Sequence, residues 1–324
     1  MFLEADRLAL EAPPRLASRE YAHVVKVAVT GSSGLIGSLL CARLEDVGHE
    51  VTRVVRRAAS PGQRTVSWDP EKGAIDRAGL EGIDGVVHLA GAGVADHRWT
   101  PERKRIVRES RTKGTALLAS ALADLERPPR VLVGGSAIGY YGERGNEDLD
   151  ETSSPGQDFL AQVCQDWEAA AGPASKAGIR TAFVRTGLVL SGRGGALPKL
   201  VRLSRLGLGG PLGSGSQWWS WVSIDDEVGA VMWLLDQDCS GPVNITAPAP
   251  VTNKEFAKAL GRVLRRPARL PTPRFGPELL LGKELANALL FTSAKVNPAV
   301  LQGAGYPFRT TELEAGLRRA LGTA

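Results

Sequence analysis

The sequence has few cysteines and no long apolar run. Its three cysteines, Cys41, Cys164 and Cys239, are widely separated along 324 residues, which argues against a disulfide or zinc framework and indicates a reducing compartment. No apolar stretch reaches the roughly 18 residues that a membrane-spanning helix needs. The N-terminus also lacks a basic region followed by an apolar one, the pattern of an export signal. These absences predict a soluble, cytoplasmic protein with no membrane partner.

Strong charge clusters and metal-binding patterns are absent as well. The net charge is only +5, and no lysine or arginine block interleaves with aromatic residues, so a nucleic acid is not an expected partner. The histidines His23, His49, His88 and His97 show no metal-ligand spacing, so no metal site is expected. With 43% hydrophobic and 23% charged residues, the composition predicts one large α/β domain with a smaller companion.

A glycine-rich turn directly after an apolar strand is the most informative feature present. Residues 25–29 are mostly apolar, and glycines follow at positions 31, 34 and 37. Such glycines permit a tight turn, a close approach of the backbone to a pyrophosphate, and close packing of the next helix. Phosphates then bind at the N-terminus of that helix. Glycine triplets also occur in ordinary loops, but this context predicts a dinucleotide cradle made by Gly31, Ser33, Gly34, Leu35, Ile36 and Gly37.

The second apolar strand, at 50–55, ends in Arg56 and Arg57. In dinucleotide-binding folds this point faces the adenosine ribose, where a carboxylate binds a free 2′-hydroxyl and an arginine pairs with a 2′-phosphate. No carboxylate follows Val55, so the sequence predicts NADP rather than NAD. The alternative is that both arginines are simply solvated residues at the end of a strand.

From residue 25 onward, apolar strands alternate with amphipathic helices. This pattern predicts a Rossmann-type α/β fold with a doubly wound parallel sheet and a smaller, mostly helical C-terminal lobe. Strands are expected at 25–30, 50–55, 64–68, 84–89, 129–134 and 180–187, and helices at 34–47, 101–123 and 158–177. The expected division is an N-terminal extension at 1–24, an NADP-binding domain at 25–190 and a substrate domain at 191–324, with a strand and helix near 222–246 returning to the first domain.

Several motifs together carry a family resemblance. They are the glycines 31, 34 and 37, the segments Leu89-Ala90-Gly91 and Ser136-Ala137-Ile138-Gly139-Tyr140-Tyr141-Gly142, and Trp219-Ser220-Trp221-Val222-Ser223-Ile224-Asp225-Asp226. With these motifs the chain resembles the extended (atypical) short-chain dehydrogenase/reductase superfamily. More narrowly, it is similar to the NAD-dependent epimerase/dehydratase-like family with that branch's C-terminal domain, over about residues 25–320.

The resemblance adds further expected cofactor contacts. Leu89, Ala90 and Gly91 follow a strand at the ligand edge, where small residues leave room for a cofactor, although a plain tight turn has the same composition. By family analogy Asp69 would bond the adenine amino group, but an Asp before a proline is equally a turn former. Arg111 would reach a cofactor phosphate, although an exposed arginine is the commoner case.

The superfamily's usual chemistry needs a serine, a tyrosine and a lysine four residues after the tyrosine, which together move the substrate's proton. Ser136 fits the serine role. Counted back from Glu168 in the family's register, the tyrosine position is Leu160 and the lysine position is Cys164. The sequence therefore excludes this catalysis in its ordinary form.

Three functional interpretations remain open. In the first, the protein is an NADP-dependent oxidoreductase or epimerase for an unidentified small carbonyl, alcohol or sugar-nucleotide-like substrate. Tyr140 or Tyr141 beside Ser136 would then donate the proton, although Tyr-Tyr-Gly is also a common structural turn. In the second, it is a non-catalytic NADP-binding sensor. In the third, Cys164 is a reactive thiol, or Asp166 and Glu168 act as acids; but Cys164 has no basic neighbour one helical turn away. A monomer and a homodimer are both compatible with the sequence.

Overall fold

The computed structural model describes residues 25–56, 62–268 and 270–323. The predicted N-terminal extension and Arg57 lie outside the described residues. The described strands, in chain order, are β1 (Lys26–Thr30), β2 (Glu50–Val55), β3 (Arg64–Asp69), β4 (Ala74–Ile75), β5 (Gly85–His88), β6 (Val131–Ala137), β7 (Asp148–Leu149), β8 (Arg180–Thr186), β9 (Leu188–Leu190), β10 (Trp218–Trp219), β11 (Trp221–Ser223), β12 (Gly241–Ile245), β13 (Val251–Thr252) and β14 (Lys295–Val296).

The α-helices of the same residues are α1 (Leu35–Asp46), α2 (Pro101–Ala123), α3 (Phe159–Ala169), α4 (Gly172–Lys176), α5 (Leu197–Arg205), α6 (Ile224–Asp236), α7 (Asn253–Leu264), α8 (Phe275–Leu281), α9 (Lys283–Ala286), α10 (Ala299–Gly303) and α11 (Leu313–Leu321). Short 3₁₀ turns occupy Ala78–Leu80 and Ile138–Tyr141, and one π-helical turn occupies Asn287–Phe291. Within the described part of the chain, no helix is both long enough and apolar enough to cross a membrane.

The central sheet has the strand order β12-β8-β6-β5-β1-β2-β3-β4. Every neighbouring pair is parallel except β3 with β4. Because helices cover both faces, the inner strands are apolar almost without interruption; all four residues of β5 are buried. The predicted Rossmann-type α/β fold is confirmed.

Two apolar layers hold the helices on the sheet. On one face, α1 and α6 pack Leu40, Leu44 and Leu234 against β1, β6 and β8. On the other face, α2 places Leu118 and Leu122 against β5 and β6. The strand order reverses direction between β1 and β5, so the carboxyl ends of these two strands form the crevice in which such folds bind ligands.

The C-terminal lobe has its own apolar core. Trp221, Phe256, Leu260 and Leu317 pack together there, and α5, α7 and α11 surround them. Three two-stranded pairs complete the lobe and its junction, β9 with β11, β10 with β13 and β7 with β14. The strand β12 pairs with β8 at the edge of the main sheet, so the chain returns there after α6. The proposed division at residue 190 stays a prediction.

Two predicted elements have different bounds in the structure. The helix expected at 158–177 is divided into α3 and α4, because the ring of Pro173 would clash with the carbonyl of Ala169 in a continuous helix. The strand expected at 129–134 continues to Ala137 as β6. Its glycines 134 and 135 pair with Phe183 and Val184 of β8.

Candidate functional site

The glycine-rich turn connects β1 to α1 at the crevice. Gly31 has φ +66°, and a Cβ there would lie 2.8 Å from the carbonyl carbon and oxygen of Leu89. Gly34 donates its amide to the Gly31 carbonyl at 2.9 Å, and a Cβ on Gly37 would collide with that same carbonyl. Each of the three glycines therefore faces a neighbouring backbone group. Only residues without a side chain allow this turn to pack against the end of β5.

The start of α1 presents free amide groups. Gly34 is its N-cap, no side chain caps the helix, and no acidic residue lies in the first turn. The first N–H groups of a helix have no partner within the helix and attract negative charge. Ser33 is exposed beside them, and Leu35 packs against the backbone of Gly194. This arrangement suits a phosphate group.

A buried polar triad supports the opposite wall of the crevice. Thr30 Oγ1 lies 2.8 Å from His88 Nδ1, and His88 Nε2 lies 2.9 Å from Thr115 Oγ1. Thr30 Oγ1 also accepts the amides of Leu89 and Ala90. Burial lowers the pKa of His88 to about 4, so this histidine is neutral at pH 7. His88 is a core residue that fixes the strand ends.

The residues predicted to bind the adenosine half of the cofactor are less closely connected to one another by hydrogen bonds. Arg56 is exposed immediately after β2. Asp69 ends β3 and accepts the amides of Glu71 and Lys72 through Oδ1, so the turn-forming alternative is observed. Adenine recognition by Asp69 stays a prediction.

Arg111 on α2 lies under the segment after β5. Its guanidinium donates to the carbonyls of Ala92 and Val107 at 2.9 and 3.0 Å and lies 4.9 Å from the ring centre of Trp167. A Cβ on Gly91 would lie 3.2 Å from its Cζ. Arg111 therefore supports the backbone of the crevice, and its contact with a phosphate stays a prediction.

Ser136 belongs to a buried ion-pair network. Its Oγ donates to Glu168 Oε1 at 2.7 Å. Glu168 in turn receives two hydrogen bonds of 2.9 Å from the guanidinium of Arg185, whose side chain is only 3% exposed. The two charges are thus paired and hydrogen-bonded, which burial requires. The sequence offered one signal, because Arg185 interrupts an apolar strand. Glu168 was considered as an acid and as the reference point of the helix register, but its pairing with Arg185 was not predicted.

The two tyrosines after β6 have different environments. Tyr141 is fully buried; its hydroxyl donates to Asn244 Oδ1 at 2.7 Å and accepts from Arg185 at 3.0 Å. Burial raises the pKa of Tyr141 to about 12. This corrects the expectation that Tyr141 could serve as a proton donor, because its hydroxyl is enclosed in the core. Tyr140 is half-buried, with the Arg185 guanidinium 3.3 Å from its ring centre.

Leu160 and Cys164, the positions at which the resemblance predicts tyrosine and lysine, both lie on helix α3. Leu160 lies against the 3₁₀ turn, 3.4 Å from a Cβ built on Gly139. The Cys164 thiol lies 3.7 Å from the Ala137 carbonyl, and burial raises its pKa to about 11. A protonated, buried thiol does not act as a nucleophile at neutral pH. The structure therefore argues against the reactive-thiol interpretation.

A second buried carboxyl lies beside the end of β8. Thr186 Oγ1 donates to Glu227 Oε1 at 2.7 Å, while Glu227 Oε2 has no hydrogen-bond partner among the residues that the structure describes. Burial raises the pKa of Glu227 from 4.5 to about 8. The carboxyl is therefore protonated in the folded protein at neutral pH. Sequence reasoning had not identified it.

Glu227 is expected to make the protein less stable as pH rises. The pKa of Glu227 is higher in the folded protein than in the unfolded one. The contribution of this carboxyl to the free energy of unfolding is therefore complete below the unfolded pKa near 4.5 and is lost as the pH rises to about 8. Glu227→Gln removes the ionisation, and at pH 8.5 we expect the free energy of unfolding of this variant to exceed that of the wild type by about 4–5 kcal/mol. Urea unfolding at several pH values measures the difference. The exposed Glu126→Gln is the control, and identical pH slopes for Glu227→Gln and wild type would contradict this account.

The crevice, the glycine turn and the strand-end serine and tyrosines together define a class of protein. A doubly wound parallel sheet that opens a glycine cradle at its topological switch point is a dinucleotide-binding fold of the extended short-chain dehydrogenase/reductase type. The family model named NAD dependent epimerase/dehydratase family matches residues 27–246, and the chain belongs to that family. A second model, a domain of unknown function (DUF1731), matches residues 272–320.

Known proteins resemble the chain over most of its length. The epimerase family protein MT2273 of Mycobacterium tuberculosis is 44% identical over 87% of this chain and 93% of its own. The crystal structure of human epimerase family protein SDR39U1 (isoform 2) with NADPH has a TM-score of 0.85 at 35% identity, covering 93% of this chain and all of that one. The crystal structure of a nucleoside-diphosphate sugar epimerase from Corynebacterium glutamicum has a TM-score of 0.76 at 39% identity, covering 93% of this chain and 59% of that one.

Proposed function

We propose that the chain binds NADP(H) and acts as an oxidoreductase or epimerase on a small carbonyl, alcohol or sugar-nucleotide-like substrate. The observation that carries this proposal is the contact of the Gly31 turn with the backbone of Leu89, which builds a crevice beside the uncapped start of α1. The human relative crystallised with NADPH supports the choice of cofactor. Free cysteines at positions 41, 164 and 239 are compatible with the predicted reducing, cytoplasmic compartment.

The described residues fit this cofactor. A Cβ at Gly31 or Gly37 would close the cradle, and the free amides of α1 would hold the diphosphate. Arg56, exposed at the end of β2, would pair with the 2′-phosphate. When bound, the nicotinamide would supply or accept a hydride at a carbon of the substrate.

Replacing Arg56 with alanine tests the choice of cofactor. We expect Arg56→Ala to bind NADPH at least about tenfold more weakly, because hydrogen bonds to a charged group contribute about 1.5–3 kcal/mol. NADH binding should be unchanged. Fluorescence titration of both reduced cofactors measures the two affinities. The matched control is Arg53→Ala: Arg53 lies on the same strand but pairs with Glu45 at 2.9 Å. Equal weakening for NADPH and NADH would refute the 2′-phosphate assignment.

On the substrate side, Ser136 and Tyr140 are the proposed contacts. The Ser136 hydroxyl donates a hydrogen bond to Glu168, which leaves lone pairs on Oγ that can accept a hydrogen bond from a substrate hydroxyl. Tyr140 is the remaining half-buried hydroxyl of the 3₁₀ turn. This pair orients a substrate oxygen without the tyrosine and lysine of the superfamily. Turnover by the protein is measured as consumption of NADPH in the presence of a panel of carbonyl compounds and sugar nucleotides, and Ser136→Ala should abolish this consumption.

A sensor without catalysis is the second candidate function. It is favoured by the apolar residues at the two proton-transfer positions, Leu160 and Cys164, combined with an intact cradle. A sensor would bind NADPH, consume none of the panel, and change its association with a partner protein when the cofactor binds. Pull-down from a lysate with and without NADPH, beside the turnover assay, separates the two functions.

A further inference from the structure

The C-terminal lobe exposes a group of large apolar side chains. Among the described residues, ten large hydrophobic side chains are exposed, and eight of them belong to two segments of this lobe. We call them the C-terminal apolar surface; they are between 38% and 80% exposed and comprise Leu203, Leu206, Leu208, Leu270, Phe275, Leu279, Leu280 and Leu289. A concentration of this kind is typical of an interaction site, whereas single exposed leucines are normal.

The two segments are neighbours in space although they are more than 60 residues apart in sequence. Thr272 donates its amide to the Pro211 carbonyl at 2.7 Å, and Gly213 donates to the Thr272 carbonyl at 2.9 Å. The helix α8 follows directly and has no buried residue. A surface helix of a globular protein normally buries an apolar stripe. The apolar side chains of α8 therefore lack the protein contacts that such a helix usually has.

The sequence around these two segments has an excess of basic residues. Residues 193–210 and 262–289 contain two acidic residues, Glu278 and Glu284, and ten basic ones: Arg193, Lys199, Arg202, Arg205, Arg262, Arg265, Arg266, Arg269, Arg274 and Lys283. Arg262 pairs with Glu314, and Arg274 lies near Glu278. Arg202, Arg205, Arg265 and Arg266 are exposed and make no ion pair with another described residue. The charge of these four arginines is therefore available to a partner.

The combination of exposed leucines and unpaired arginines restricts what can cover the surface. A second copy of the same surface would bring like charges together. A nucleic acid would neutralise the arginines but leave the leucines in water. A bilayer containing anionic lipids satisfies both, because leucine and phenylalanine enter the headgroup boundary while arginines bind lipid phosphates.

We propose that the C-terminal apolar surface docks on an anionic lipid bilayer. The contact is peripheral, with α8 lying in the interface and no segment crossing the membrane. The proposal revises the expectation, drawn from the sequence, that a membrane is not a partner. It does not depend on the proposed cofactor, because none of the cradle residues contributes to this surface.

Vesicle sedimentation tests the proposal. Vesicles of phosphatidylcholine alone are compared with vesicles of equal parts phosphatidylcholine and phosphatidylglycerol, using the full chain. We expect about tenfold more protein on the anionic vesicles. The combined variant Phe275→Ser, Leu279→Ser, Leu280→Ser and, separately, the variant Arg202→Glu, Arg205→Glu should each reduce the partition about tenfold. These side chains are exposed, so folding should be preserved, which the melting temperature checks.

The control variant carries Val47→Ser and Ile106→Ser, the two other exposed hydrophobic side chains, and should sediment like the wild type. Absence of wild-type binding to anionic vesicles overturns the proposal. Binding that the three serine substitutions leave unchanged overturns it as well, since charge alone would then account for it. A dimer in sedimentation velocity that the serine variant converts to monomer, or tight binding to RNA in place of vesicles, would assign the surface to another partner.

Discussion

Gly31→Ala is expected to weaken NADPH binding by at least about 100-fold, which corresponds to about 3 kcal/mol. Two effects act together at this position. The φ of +66° is unfavourable for any residue with a side chain, and the added Cβ would lie 2.8 Å from the carbonyl of Leu89. The obstructing atoms are backbone, and Thr30 holds that backbone by accepting the amides of Leu89 and Ala90. The turn must therefore move, and the phosphate site moves with it. Isothermal titration with NADPH measures the loss.

Gly48→Ala is the matched control, because Gly48 has φ +89° but a Cβ there would meet nothing within 4 Å. Both variants carry the backbone strain, and only Gly31→Ala carries the steric conflict. Gly48→Ala should lose about 1 kcal/mol of stability and retain full NADPH affinity. If Gly31→Ala remained folded and bound NADPH as tightly as Gly48→Ala, the assignment of the Gly31 turn as the diphosphate-binding site would be wrong.

The main sheet was predictable from the sequence because its strands are buried on both faces. Apolar runs such as 25–30 and 50–55 have few alternatives to a central parallel strand, and the structure places β1 and β2 there. The long helix α2 was also predicted with the observed bounds, since Thr100 and Pro101 mark its start and Thr100 accepts the Arg103 amide. Local signals decided these elements.

The elements that sequence reasoning missed depend on tertiary contacts. The strand β6 continues past its two glycines, 134 and 135, because they pair with β8 and Gly134 also pairs with β5. Helix α8 follows a proline-rich segment and buries none of its residues, so no apolar periodicity announces it. In the sequence alone, the leucines of α8 look like ordinary residues of the lobe. They form part of an exposed apolar surface only because the segment 203–208 lies beside them in space.

In the candidate site, too, one part was predictable from the sequence and another part was not. The cradle was predictable because the turn requires glycine: Gly31 has a positive φ, and a Cβ on Gly31 or Gly37 would collide with neighbouring backbone atoms. The ion pair of Glu168 with Arg185 was not, because its meaning depends on a hydrogen bond to Ser136 across two elements. The proposed roles of Arg56, Ser136 and Tyr140 are still predictions that the experiments above address.

Arg185→Leu is expected to lower the free energy of unfolding by about 3–5 kcal/mol. Arg185 is 2% exposed and makes both hydrogen bonds to Glu168. Removing it leaves the largely buried Glu168 carboxylate with the hydrogen bond from Ser136 but without a counter-charge, which costs far more than the lost attraction. The variant also deprives the Tyr141 hydroxyl of a donor. Urea denaturation monitored by circular dichroism measures the effect.

Two comparisons separate this cause from a general packing defect. Arg105→Leu removes an exposed arginine that pairs with Glu102 and Glu109, and it should leave the free energy of unfolding almost unchanged. Arg185→Leu combined with Glu168→Met removes both charges, so the double variant should be more stable than Arg185→Leu alone. If the double variant were less stable than the single one, lost volume would explain the result, and the buried charge pair would not be what fixes Ser136 at the end of β6.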